Sequence, residues 1–327
     1  MRLTPVALLL SLMVGGIAPW ACAAPGKAYT DPKEAGPEFA IQGEYVGEVE
    51  TAEKGKVKVG VQIIALGDGK FHAVGYPGGL PGDGWNGKDK KETDGKTDGD
   101  STVFKGEEAT LTITKGVATV TGSGGEKLGE LKKVMRVSKT MGAKPPEGAI
   151  VLFDGKSTDA WENGRMTEDG LLMEGVKSKK KFQSYTSHIE FLLPFMPEAR
   201  GQGRANSGYY IQGRYELQML DSFGLSGENN ECGGLYTLAK PSVNMCYPPL
   251  SWQTYDVDFT APEFKDGKKV KNAKVVIRHN DVVIHDFELP KESPGGIGNE
   301  GPEPGAIELQ NHGNPVRYRN IWVVEKK

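Results

Sequence analysis

Short runs of alternating apolar and polar residues, broken by Gly and Pro, recur along most of the chain. Such a period of two is the mark of half-buried β-strands. In the first half, residues 39–49, 56–66 and 70–76 read as strands, and Gly67-Asp68-Gly69 reads as a tight hairpin turn between the last two. Residues 109–113 and 116–121 predict a second hairpin, and 131–137 a closing strand. Between the hairpins, KDKKETDGKTDGD (residues 88–100) carries four Lys and five acids. Lys96 interrupts the carboxylate spacing of an EF-type calcium loop, so this stretch predicts a solvated, mobile excursion. The second half offers strands at 187–195, 208–212, 215–220, 253–259, 273–279, 282–289, 307–310 and 317–324. No segment there sustains a 3.6-residue period long enough for a helix of about ten residues. Many antiparallel strands with long excursions indicate a two-sheet sandwich, preceded by a smaller all-β domain.

The domain limits follow from composition. Residues 138–149 (SKTMGAKPPEGA) lack any apolar period and carry Pro-Pro, which makes them a linker. Residues 24–137 are then the accessory β domain, and 150–327 the sandwich. Residues 1–23 are set apart as a signal peptide. Arg2 supplies a positive start, residues 6–18 an apolar core, and Ala21-Cys22-Ala23 an A-x-A cleavage site. Cys22 allows a lipoprotein reading, but Pro19-Trp20-Ala21 departs from the Leu-initiated pattern of such signals. The expectation is an exported protein, periplasmic or extracellular, with no membrane span after residue 24.

Composition narrows the function classes. The chain has 40 Lys plus Arg against 43 Asp plus Glu, a net charge of −3, so charge gives no argument for a nucleic-acid partner. The 45 Gly and 20 Pro make up about one residue in five without a collagen period, which agrees with many turns. Beyond the signal only Cys232 and Cys246 remain. In an oxidising compartment the pair predicts a disulfide pinning the rim of the site, two buried thiols being the alternative. No C-x-x-C or H-x-x-x-H spacing suggests zinc. In KVVIRH-ND-VVIHD, a two-residue Asn280-Asp281 turn places Val276 opposite His285 and sends His279 and His285 to opposite faces, which removes them as a metal pair.

Candidate chemistry lies on strand faces. In YELQMLD, Glu216 and Gln218 alternate with Tyr215, Leu217 and Met219. Neighbouring runs offer Tyr210 with Gln212, His188 with Glu190, and Glu308 with Gln310. An ordinary solvent face would account for this pattern, but the company of acids, amides and aromatics also suits sugars. His312, in a polar turn after a strand, is placed to titrate near neutrality. Arg317 could orient a carboxylate, hold a substrate oxygen or form a structural ion pair. Trp252 is either a stacking platform or core.

Four ordered blocks carry a resemblance. LFDGKSTDAWENG (152–164), NSGYYIQGRYELQMLDSFG (206–224), SWQTYDVDFTAPEF (251–264) and ELQNHGNPVRYRNIWV (308–323) are similar to the 3-keto-disaccharide hydrolase family. The resemblance covers residue 148 to the end, and implies a concanavalin A-like jelly roll. It also implies chemistry on a sugar already oxidised at C3. The ketone acidifies the C2 proton, a base removes it, and the C1 glycosidic bond leaves by elimination, with water addition completing hydrolysis. That route needs a base near C2 and donors at the developing enolate oxygen. By residue type the base is Glu216, with Glu190 second. His312 assists as acid or binds a divalent metal with a carboxylate; no other cofactor is implied. Asn206, Tyr210, Gln218, Trp252, Gln310 and Arg317 are the candidate substrate contacts. The alternative is a non-catalytic carbohydrate-binding or cell-surface module on the same lectin-like sandwich.

Overall fold

The computed structural model describes residues 26–51 and 55–326; the signal-peptide reading and Cys22 lie outside the described residues. Eight antiparallel strands, β1 (Gly43–Thr51), β2 (Gly55–Gly67), β3 (Lys70–Pro77), β4 (Lys91–Asp98), β5 (Ser101–Lys105), β6 (Ala109–Thr114), β7 (Val117–Gly122) and β8 (Lys127–Val134), follow one another around a closed barrel. The β1–β8 pairing, with Gly47 opposite Leu131, closes it. Closure removes both sheet edges, which a small isolated sheet would leave open. It also corrects the expected mobile excursion. Residues 91–98 form β4 because each ladder needs a partner between β3 and β5, whatever the side chains. Alternation still holds there: Thr93 and Gly95 share a face with Ala73 and Phe71 through the β3 register, while the charges of Glu92 and Asp94 lie on the other.

Inward positions of the barrel carry one core, with Tyr45, Ile63, Phe71, Phe104 and Ile113 at its centre. A short helix, Gly36–Ile41, and Phe195 from the second domain close one end; Phe39 meets Phe195 edge-on at 5.5 Å. The outward residues Ile64, Val74 and Tyr76 do not face water. They share a core with Phe223, Met245 and Tyr247 of the second domain.

That second domain is the expected sandwich. One sheet runs in spatial order Trp161–Glu162, Val176–Phe182, Gly305–Leu309, Ser207–Ile211, Tyr215–Met219. The other runs Leu172–Met173, Arg317–Glu325, Tyr185–Leu192, Trp252–Thr260, Ala273–His279, Val282–Leu289, with Ile150–Phe153 beside Arg317–Glu325. Inward faces meet through apolar residues and a few hydroxyls: Ser187 and Tyr209 share a 2.8 Å hydrogen bond between the sheets, and Tyr255 donates to the Gln218 carbonyl at 2.7 Å.

The stretch expected as a linker is held down. Ser138 and Thr140 hydrogen-bond Thr254 at 2.7 and 2.9 Å, Thr140 donates to Asp256 at 2.7 Å, and the Gly142 amide donates to Glu190 at 2.6 Å. This strap covers the outward face of the second sheet. The histidine parity also needs correction. A bulge between Ile277 and Arg278 places Ile277, not Val276, opposite His285, so both histidines are buried. His279 lies against Gln253 and His285 donates to the Gly233 carbonyl. Among the described residues no helix is long and apolar enough to cross a membrane.

Candidate active site

The outward face of the first sheet is hollowed into a cleft of about 260 Å³. Register explains its contents. Tyr210 pairs with Glu308 on one side and with Glu216 on the other, so these three side chains form one row across three strands. Gly208 pairs with Gln218 in the next row. A Cβ on Gly208 would stand 2.5 Å from Glu216 Oε1, so the absence of a side chain there makes room for the carboxyl. Gly208→Ala is therefore expected to displace Glu216 and lower turnover while changing the unfolding midpoint little; a variant with unchanged kcat would refute that role.

The edge of this sheet is extended by the chain that follows Cys232. The Gln218 amide donates to the Gly234 carbonyl at 2.9 Å, Gly233 N–H to Gln218 O at 3.0 Å, and Tyr236 N–H to Glu216 O at 2.9 Å. This added ladder carries Tyr236 to the cleft. Pro294 and Gly295 form the facing wall, and Gln202 and His312 complete the lining. His312 is exposed.

Burial dominates the electrostatics. It pushes the Glu216 carboxyl up to about 7; the 2.9 Å hydrogen bond from Tyr210 pulls the other way, and the nearby Glu308 adds to the rise. Burial raises Glu308 as well, with Lys177 opposing. A carboxyl held near neutrality inside a cleft exchanges protons readily at physiological pH. Gln310 donates to the Tyr210 hydroxyl at 3.3 Å, and Gln218 and Asn206 both donate to Gln202 Oε1, at 3.2 and 3.0 Å. Three buried acceptors, Asn206 Oδ1, Glu308 Oε2 and Gln310 Oε1, have no partner among the described residues. Unmatched acceptors of this kind suit a ligand rich in hydroxyl donors.

Residues 148–324 match the 3-keto-alpha-glucoside-1,2-lyase-like domain family, more than half of the chain. The chain belongs to this family. A crystal structure from Parabacteroides distasonis ATCC 8503, described as that of a glycosyl hydrolase, is 33% identical with a TM-score of 0.50. The match covers 55% of this chain and 85% of that one. A second structure from that organism, described in the same terms, is 17% identical over 55% of this chain and 95% of its own, with a TM-score of 0.40. No curated protein matches. The family and the first of these structures support a glycoside-acting enzyme.

Within this family domain the cleft gathers Glu216, Asn206, Tyr210, Gln218, Gln310 and His312, all singled out from sequence. It does not gather Glu190, Trp252 or Arg317. Glu190 lies on the opposite sheet and faces away from the cleft, because residues 193–206 carry the chain across from one sheet to the other. There it receives hydrogen bonds from Arg319 (2.6 Å), Asn320 (2.8 Å) and the Gly142 amide (2.6 Å). Burial alone would raise its carboxyl, but hydrogen bonds from His188, Asn320, Arg319 and Gly142 outweigh it and hold the group at about 2. Such a lowered value stabilises the fold above the unfolded value near 4.5 and loses that contribution as pH falls towards 2. Glu190→Gln is expected to reduce stability at pH 7 more than at pH 3, and to leave turnover intact once folded. Loss of turnover in well-folded protein would return Glu190 to the catalytic list.

Trp252 starts a strand of that same sheet under the Arg319 guanidinium, 3.9 Å from its ring centre, and is not an open platform. Arg317 pairs with Glu174 at 2.6 Å, the structural option of its three readings. Cys232 and Cys246 are buried and unbridged in this structure, with each thiol within hydrogen-bonding reach of the other. Both are packed into the sandwich core, where Cys232 Sγ contacts the Tyr255 hydroxyl at 3.3 Å and Cys246 Sγ faces the Leu220 carbonyl. Main-chain pairing to Glu216 and Gln218 pins the rim. Among the described residues no three His, Cys, Asp or Glu side chains are grouped to hold a metal. Sequence reasoning missed Gln202, Tyr236 and Gly295, which lie in loops without strand alternation. It also left Glu308 out of the catalytic candidates.

Proposed function

We propose that this chain is an exported enzyme that cleaves 3-keto-glucosides by removing the C2 proton. The supporting observation is the Glu216 carboxyl, raised to about 7 in a small cleft whose free acceptors suit sugar hydroxyls. In its ionised form Glu216 takes the C2 proton, and the electron pair moves towards C3, placing negative charge on the ketone oxygen. The donors on hand for that oxygen are the Tyr236 hydroxyl and the His312 imidazole. As the pair returns, the C1–O bond breaks and the aglycone oxygen must gain a proton, for which His312 at the exposed side is the nearest suitable type. Asn206 and Gln310 accept from hydroxyls elsewhere on the ring. The product is the 1,2-unsaturated 3-ketone, or the hydrated sugar if water adds before release.

Tyr210 has a tuning role. Its donated hydrogen bond favours the carboxylate, while burial and Glu308 favour the acid, and the balance places Glu216 near working pH.

The test is turnover of 3-keto-sucrose, 3-keto-trehalose or a 3-keto-aryl-glucoside by purified protein, against the unoxidised sugars as controls. Release of the aglycone from the keto-sugars alone supports the reading. Calorimetric binding of glycans without turnover of any substrate would instead favour a carbohydrate-binding module. The export part of the reading rests on residues 1–23, and mature protein beginning at Ala24 is the expected product.

A further inference from the structure

The barrel is closed at one end and hollow at the other. Phe39, Phe195, Tyr45 and Phe71 fill the closed end. Above them Phe104 rests edge-on against Phe71, with ring centres 6.4 Å apart. Beyond Phe104 the lumen opens into a cavity of about 530 Å³ walled by Val49, Val61, Leu111, Val120 and Leu131. An eight-stranded barrel is just wide enough for its side chains to fill, or to hold one small ligand. Here the choice is made by small inward residues. Gly75 and Ala73 occupy inward positions of β3, where larger side chains would occupy the space. A Cβ built on Gly75 would meet only the Lys91 carbonyl, at 3.6 Å, and its backbone is not in the left-handed region, so no conformational demand explains the glycine.

We propose that this lumen is a binding site for one small, compact, apolar molecule with an aryl or branched aliphatic body. Its volume lies within the roughly 300–1,000 Å³ of small-molecule pockets. Its wall offers no buried charge, and the one hydroxyl on it, that of Thr93, is already spent on the Lys105 carbonyl at 3.0 Å. Recognition deep in the lumen is therefore by shape and apolar contact. Polar groups are confined to the mouth, where Lys91 pairs with Glu108, and where Lys105 and Glu107 form no ion pair among the described residues. A polar substituent on the ligand would stay there, in water. A peptide strand is not the occupant, because the closed ladder presents no edge to extend. The site is separate from the sandwich cleft and does not depend on its chemistry.

The probe is N-phenyl-1-naphthylamine, an uncharged aryl amine that fluoresces in apolar surroundings, titrated into the full chain. Saturable binding of one equivalent is expected. Gly75→Leu and Leu111→Trp each fill the lumen and should raise the dissociation constant at least about tenfold. Gly75→Leu should also raise the thermal midpoint, since it fills empty space. Glu216→Gln, in the other domain, should bind the probe as wild type does. The proposal is overturned if folded wild type shows no saturable binding, or if either lumen variant, shown folded by circular dichroism, keeps wild-type affinity. It is likewise overturned if the protein sediments as a dimer that the lumen variants dissociate, for then a second copy fills the mouth.

Discussion

Glu216→Gln is expected to lower kcat/KM on a 3-keto-glucoside by roughly 10²–10⁴-fold, the range a positioned general base supplies. The substitution keeps size and the capacity to hydrogen-bond Tyr210, so folding should survive it. In wild type the rate should rise with pH through about 7, as the raised carboxyl loses its proton. The same shift has a consequence for stability, and its sign is opposite to that of an ordinary paired acid. A carboxyl whose folded value lies above its unfolded value favours folding while protonated, and this contribution is lost as pH rises through the folded value. Above pH 7 the wild type therefore carries a buried charge that Gln lacks. The variant should be more stable there by up to about 3 kcal/mol, with the difference vanishing below about pH 4, under the unfolded value of 4.5. An inactive enzyme that becomes more stable at alkaline pH would be a joint signature of the base and its burial. Wild-type turnover in Glu216→Gln, with no change in the pH profile, would remove Glu216 from the mechanism.

Asp221→Ala is expected to be the most damaging single change to the fold. Arg204 donates to Asp221 at 2.6 Å, and both are at least nine-tenths buried. The same guanidinium reaches the Ala65 carbonyl of β2 at 3.2 Å, so this ion pair joins barrel to sandwich. Removing the acid leaves a buried, unpaired cation, which costs about 3–5 kcal/mol. For a protein of this size that is a fall in unfolding midpoint on the order of 10 °C. The exposed pair of Lys58 and Asp83, at 3.3 Å, provides the contrast: Asp83→Ala should cost under about 1 kcal/mol. Calorimetry on the two variants decides this, and equal losses would show that burial is not what sets the value of the Arg204 pair.

Several elements were legible because they rest on local periodicity. The alternation of YELQM and of GYYIQ predicts which side chains face together, and register then brings Tyr210 beside Glu216 as that pattern requires. Strand β4 was not legible, since KETDGKTD has little apolar content; barrel closure, a demand of the whole ladder, recruits it. The histidine pair failed for a smaller reason. One bulged residue reverses the parity of everything beyond it, and no residue type in RHNDVVIH announces it.

What the sequence determined by itself, then, is the all-β class, the family domain and the polar face that became the cleft. These depend on a period of two and on block motifs, both of which survive without knowing the neighbours. Which sheet each strand joins was decided only by the tertiary structure. The runs containing Glu190 and Glu216 look equivalent in sequence, yet the crossing at residues 193–206 sends one carboxyl to an ion-paired strap at about 2 and the other to a cleft at about 7. The two thiols follow the same rule, for their number in a chain expected to be exported says nothing of the sandwich core that packing builds around them. A carboxyl's solvation and its partners are properties of strands brought together from far along the chain, so the roles of Glu190 and Glu216 are set by packing and not by local sequence.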